Sequence, residues 1–85
     1  MPAEKTIAPS REVRDKIADF VMDWMADNAP SLSIDALLTW PDKSQRMAQW
    51  VCRRLGRPAT ALNVHIVCRA ALNARKHGGM KRDKY

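Results

Sequence analysis

Helix-breaking residues divide this chain into four short segments of helical periodicity. Pro30 disfavours helix at the residue before it, Pro41 ends a second segment, and Gly56 followed by Pro58 ends a third. Between these points apolar residues recur at spacings of three and four, which is typical of amphipathic helices. The sequence therefore predicts a small all-α domain of four helices.

Capping residues give the expected bounds of these helices. Ser10, Ser33 and Thr60 are good N-caps for the first, second and fourth helices, and either Asp42 or Ser44 starts the third. The expected helices cover residues 10–28, 33–40, 42–55 and 60–76. We expect a flexible N-terminal arm over 1–9, a helical domain over 10–79 and a basic tail over 80–85.

Charge is distributed unevenly along the chain. Residues 1–52 contain six Lys and Arg against eight Asp and Glu, a net charge of −2, whereas residues 53–85 contain nine against one, a net charge of +8. An anionic partner would relieve the repulsion within the basic part. We therefore expect nucleic acid, above all duplex DNA, to bind the C-terminal third. The first helix carries a row of acids that would not face DNA: Asp15, Asp19, Asp23 and Asp27.

Composition argues against several other classes of protein. No apolar run approaches the roughly 18 to 20 residues of a membrane span, and the first residues lack the apolar segment of a secretory signal. The two cysteines, Cys52 and Cys68, are fewer than a small secreted domain normally carries. We expect a cytoplasmic protein with both thiols free and mostly buried.

The third and fourth predicted helices, with the turn between them, carry a family resemblance. Cys52 lies four residues before Gly56, Leu55 immediately precedes this glycine, and Leu62 follows where a core residue of the second helix belongs. Over residues 44–76 the chain resembles helix-turn-helix DNA-binding proteins, such as small phage or plasmid regulators. The resemblance implies a transcriptional repressor or accessory regulator. Pro58 and the delayed cap make the turn longer than is usual in that family.

The fourth predicted helix has an acid-free polar face. His65, Arg69, Asn73 and Lys76 fall within an arc of about 80° on a helical wheel. An Arg side chain can make a bidentate contact with guanine, an Asn side chain can do so with adenine, and a Lys side chain neutralises phosphate. We therefore expect this face, with Thr60, to contact bases in a major groove. Another arc is expected to face the core and contains Val64, Val67, Cys68, Ala71 and Leu72.

Basic residues around this face are expected to contact DNA phosphates. They are Arg53, Arg54, Arg57, Arg75, Lys81, Arg82 and Lys84. In an alternative register the second and third helices form the DNA-binding unit. Its base contacts would come from Ser44, Gln45, Arg46 and Gln49.

Two other functions stay open at this point. One is a small protein-binding inhibitor of phage or mobile-element origin, and the other is an RNA-binding module, against which the lack of a clear aromatic stacking platform counts. Trp24, Trp40 and Trp50 are expected to supply core volume, with Trp40 the candidate for an exposed dimer contact. A homodimer is expected because so small a domain buries little surface.

Catalytic and metal chemistry are not expected from this sequence. The cysteines and histidines lack the paired spacing of structural zinc sites, and Gly78-Gly79 alone makes no phosphate-binding loop. We expect no enzyme activity, no metal, no cofactor and no small-molecule substrate.

Overall fold

The computed structural model describes residues 6–8 and 10–76. This part of the chain folds into four α-helices and contains no strand, which confirms the predicted all-α domain. The helices are α1 (Arg11–Asn28), α2 (Ile34–Leu38), α3 (Pro41–Arg54) and α4 (Ala61–Lys76).

Three helices enclose the core, and the short α2 packs across two of them. The helices α1, α3 and α4 contact one another pairwise, and α2 packs against α3 and α4. The core contains Trp24 together with large side chains from every helix that are fully buried and are aliphatic apart from one methionine. These are Ile17, Val21, Leu37, Met47, Val51 and Val67.

The predicted serine and threonine caps are confirmed. The Ser10 hydroxyl oxygen accepts from the N–H of Val13 at 3.2 Å, and the Ser33 hydroxyl oxygen accepts from the N–H of Ala36 at 3.1 Å. Each bond satisfies one of the N–H groups that a helix leaves unpaired in its first turn.

The boundary between α2 and α3 differs from the prediction. The helix α2 ends at Leu38, and Pro41 begins α3 instead of ending α2. Proline suits the first helical position because it has no N–H to leave unpaired and its fixed φ is already helical. Trp40 is the N-cap, so neither Asp42 nor Ser44 starts the helix as expected.

Gly56 ends α3 as predicted. Its φ is +73°, a left-handed conformation that a side chain disfavours. The Gly56 N–H donates to the Arg53 carbonyl at 3.0 Å, and the Arg57 N–H donates to the Cys52 carbonyl at 2.9 Å. This pair of bonds is a Schellman motif, which satisfies the last carbonyls of the helix.

The N-terminal segment is held to the domain by Asn63. Ile7 was expected to lie in a flexible arm, yet its side chain is buried in the core. Its N–H donates to Asn63 Oδ1 at 2.9 Å, and Asn63 Nδ2 donates to the Pro58 carbonyl at 2.8 Å. The buried Asn63 therefore joins this segment to the α3–α4 connection.

The buried side of α4 is rotated relative to the prediction. Val67 and Ala71 are buried as expected, but Asn63 and Ala70 are buried beside them. Val64, Cys68 and Leu72 are only partly buried. Leu62, expected in the core of a helix-turn-helix unit, is 54% exposed, so this part of the resemblance is wrong.

Candidate nucleic-acid interface

The outer face of α4 presents the predicted base-contacting residues to solvent. His65, Arg69, Asn73 and Lys76 are all exposed, and α4 contains no acidic residue. Thr60 is also exposed, but its hydroxyl oxygen accepts from the Asn63 N–H at 3.1 Å and so serves as the N-cap of α4. This face is available to a ligand and is electrostatically suited to an anion.

Arg75, predicted to contact phosphate, is engaged within the protein. Its guanidinium donates to Asp35 Oδ2 and forms an ion pair with it, which links the end of α4 to α2. Both side chains are about half exposed, at 44% and 55%, so water screens the pair and its contribution to stability is small. Asp35 therefore competes with any phosphate for Arg75.

The three arginines near the α3–α4 connection lie in different surroundings. Arg54 lies over two aromatic rings, with its guanidinium carbon 5.4 Å from the Phe20 centroid and 5.3 Å from the Trp50 centroid. Arg57 lines a small cavity next to Ile7, and Arg53 lines a cleft to which Trp50 also contributes. All three arginines are exposed, but their neighbours differ.

The cleft that Arg53 lines lies between α1 and α3 and has a volume of about 330 Å³. Lys43 and Arg46 lie along it with Arg53, so three cations from α3 surround one space. Its α1 wall includes Trp24 and Asn28, and α3 adds Gln49 and Trp50. None of these lining residues is acidic. We call this the α1–α3 cleft.

Aromatic side chains line this cleft and pack next to it. The Phe20 and Trp50 rings meet edge to face, with centroids 6.2 Å apart and planes at 89°. Trp40 is 48% exposed, and Lys43 Nζ lies 5.0 Å from the centroid of its ring. Trp24 is buried in the core as expected, whereas Trp50 is only partly buried and Trp40 is exposed.

This cleft was not predicted from the sequence, although the α3 residues that line it share one side of the helical wheel. Lys43, Arg46, Trp50 and Arg53 fall within an arc of about 80° on the α3 wheel. The size of Trp50 favours burial, so the sequence alone predicts a core residue there and not part of a cleft. The α1 contribution could not be found from periodicity, since it depends on how α1 and α3 pack.

The alternative register loses one of its proposed base contacts. Ser44 is buried, and its hydroxyl donates to the Pro41 carbonyl at 3.1 Å, so it does not face a groove. Gln45 and Arg46 are exposed, while Gln49 is partly buried along the cleft. The tail residues Lys81, Arg82 and Lys84 lie outside the described residues.

The four aspartates of α1 are all exposed, as expected of a solvated outer face.

Both cysteines are free; Cys52 is fully buried and Cys68 partly so. Burial, and secondarily the nearby Cys68, raises the pKa of Cys52, while Arg53 lowers it by less. Burial also raises the pKa of Cys68. Neither thiol has the low pKa of a reactive nucleophile.

Over residues 6–8 and 10–76, no cluster of three or more histidine, cysteine and acidic side chains is placed to hold a metal ion. In the same part of the chain, no helix combines the length and apolar character needed to cross a membrane. Comparison of the chain with family models, curated proteins and solved structures gave no match. The described residues form a small four-helix domain. We infer its function from the basic residues exposed on its surface.

Proposed function

We propose that this chain is a DNA-binding regulator, a repressor or an accessory factor, that docks the outer face of α4 on duplex DNA. The observation that carries the proposal is the exposed, acid-free face formed by His65, Arg69, Asn73 and Lys76. A major groove admits an α-helix, so these side chains can approach base edges together. The acidic row of Asp15, Asp19, Asp23 and Asp27 lies on α1, so it adds no negative charge to α4 itself.

Three residues of this face and the nearby Arg57 have assigned roles in the proposed complex. Arg69 is suited to a bidentate contact with guanine, and Asn73 is suited to the same kind of contact with adenine. Lys76 and Arg57 neutralise phosphates, which contributes affinity without sequence preference. The proposal thus separates specificity, carried by Arg69 and Asn73, from charge-dependent affinity.

A homodimer is part of this proposal. Two α4 faces would contact paired half-sites, as dimeric helix-turn-helix proteins do. An apolar groove of about 310 Å³ beside Met22, Met25, Leu32 and Ile34 offers a surface for a second copy to bury. Sedimentation equilibrium tests this part, since a dimer has twice the 9.6 kDa of the chain.

The test is selection of duplex DNA from a random library, followed by fluorescence anisotropy on the selected duplex across a salt series. We expect affinity to fall steeply with salt, because each neutralised phosphate adds about 0.9 to the slope of log K against log salt. Arg69→Ala and Asn73→Ala should each relax the base preference at one position and cost about tenfold in affinity.

The matched control is Arg14→Ala, which removes the same charge from an exposed position on α1. Its affinity and its base preference should both stay close to wild type. Failure to select any sequence, or no measurable duplex binding at about 50 mM salt, would refute the proposal. An unchanged base preference in Arg69→Ala and Asn73→Ala would refute the assignment to α4.

A further inference from the structure

We infer that the α1–α3 cleft is a second binding site, which takes single-stranded nucleic acid. Phosphates of the strand contact the cations Lys43, Arg46 and Arg53, and an unpaired base stacks on the exposed indole of Trp40. This inference goes beyond the proposed duplex contact, because it uses α3 and α1 and none of the base-contacting residues of α4.

The α1–α3 cleft is lined by positive charge. Lys43, Arg46 and Arg53 line one cleft, which no carboxylate lines. Asp42 approaches Arg46 at 3.7 Å, but both side chains are 72% exposed, so this pair is too strongly screened to neutralise the site. Three like charges around one cavity repel one another, and a phosphate-bearing strand removes that repulsion.

An aromatic side chain, Trp40, lies next to one of these cations. Lys43 lines the cleft, and its Nζ lies over the Trp40 ring, 5.0 Å from the ring centre, so this cation connects the cleft to the indole. A base that stacks on this face of the ring replaces Lys43 there, which frees the ammonium group to contact a phosphate. Trp40 is 48% exposed, which is unusual for so large an apolar side chain in a well-packed domain. A basic groove with aromatic side chains beside it is the arrangement by which proteins bind single strands.

Cleft size and stacking both favour a single strand over a duplex. The volume of about 330 Å³ is at the lower end of the range for small-molecule sites, which suits one nucleotide. In a duplex both faces of each base are covered by neighbouring bases, so only an unpaired base can stack on an indole. Gln49 supplies an amide group along the cleft that can hydrogen-bond to the edge of such a base, whereas Asn28 Nδ2 already donates to the Trp24 carbonyl at 3.0 Å.

The test uses the full chain and a fluorescein-labelled oligothymidine of about 12 nucleotides, a length that one small domain can cover. Binding is followed by anisotropy and by quenching of tryptophan fluorescence. We expect quenching at saturation, and we expect a duplex of the same length to compete poorly. Trp40→Ala should weaken oligothymidine binding about tenfold or more, since base stacking on an aromatic ring contributes that much.

Two charge variants separate this site from general attraction. Arg46→Ser with Arg53→Ser should weaken oligothymidine binding by more than about tenfold, whereas Arg11→Ser with Arg14→Ser, which removes the same charge from exposed positions on α1, should change it less than about threefold. Circular dichroism and thermal melting establish that each variant is folded. The substituted side chains of the charge variants are exposed, and Trp40 is nearly half exposed.

Three results would overturn the inference. They are equal losses in the two charge variants, absence of tryptophan quenching at saturation, and full competition by the duplex. Arg69→Ala keeps the two proposals distinguishable, because it should weaken duplex binding and leave oligothymidine binding unchanged. If the wild-type chain binds oligothymidine but no duplex, the proposed function is contradicted and the cleft site is still supported.

Discussion

Asn63 Oδ1 accepts the backbone N–H of Ile7 at 2.9 Å, across 56 residues of sequence. The same side chain donates to the Pro58 carbonyl at 2.8 Å. One buried amide therefore holds the N-terminal segment and the α3–α4 connection in place, and with them the start of α4.

Asn63→Ala should lower the free energy of unfolding by about 2 to 4 kcal/mol, because it leaves a buried donor and a carbonyl without their partner. Urea denaturation measures the change. Asn73→Ala, the same substitution at an exposed position of α4, should change stability by less than about 0.5 kcal/mol. Similar losses in both variants would contradict the anchoring role of Asn63.

Gly56→Ala should lower the free energy of unfolding by about 1 kcal/mol. A Cβ at this position would meet nothing within 4 Å, so the expected cost comes from the positive φ of +73° and not from a clash. Gly56→Asn should cost less, because asparagine tolerates the left-handed conformation better than alanine. Denaturant midpoints would test this order, and an alanine variant more stable than the asparagine variant would reverse it.

Leu62→Ala should change the free energy of unfolding by less than about 0.5 kcal/mol, since the side chain is 54% exposed. Val67→Ala, on the same helix, should cost about 2 kcal/mol because Val67 is fully buried. Thermal melting of the two variants compares them directly. A larger loss at Leu62 would place that residue in the core, as the helix-turn-helix resemblance implied.

Asp35→Asn should raise the affinity for duplex DNA about twofold to fivefold and steepen its salt dependence by up to about one unit of slope, because Arg75 becomes available to a phosphate. Anisotropy at several salt concentrations measures both quantities. Asp15→Asn makes the same change of charge on α1 and serves as the control. If both variants gain affinity equally, the effect is one of net charge and Arg75 is not involved.

Stability should fall as the pH rises above about 8.5, where unfolded thiols begin to lose protons. Burial raises the pKa of Cys52 and Cys68 in the folded protein, so the folded state keeps these protons to higher pH than the unfolded state does. Melting temperatures of the wild type and Cys68→Ala across this range would measure the effect. The decline should be shallower in the variant, and identical slopes would show that Cys68 does not contribute.

Local hydrogen bonding explains which parts of the fold were predictable. Ser10 and Ser33 cap their helices with bonds to residues three positions away, and Gly56 ends α3 through its own backbone conformation. Such signals act within one turn of helix and can be recognised from neighbouring residues. Pro41 was misassigned because proline both ends one helix and begins the next, and neighbouring residues do not distinguish the two roles.

The sequence by itself determined the number and approximate bounds of the helices and the concentration of positive charge in the C-terminal part. It also placed His65, Arg69, Asn73 and Lys76 on one exposed arc, because helical spacing alone groups them. Tertiary structure decided the rest. The rotation of α4 that buries Asn63, the pairing of Arg75 with Asp35, and the α1–α3 cleft each depend on contacts between residues far apart in the chain, which no local spacing encodes.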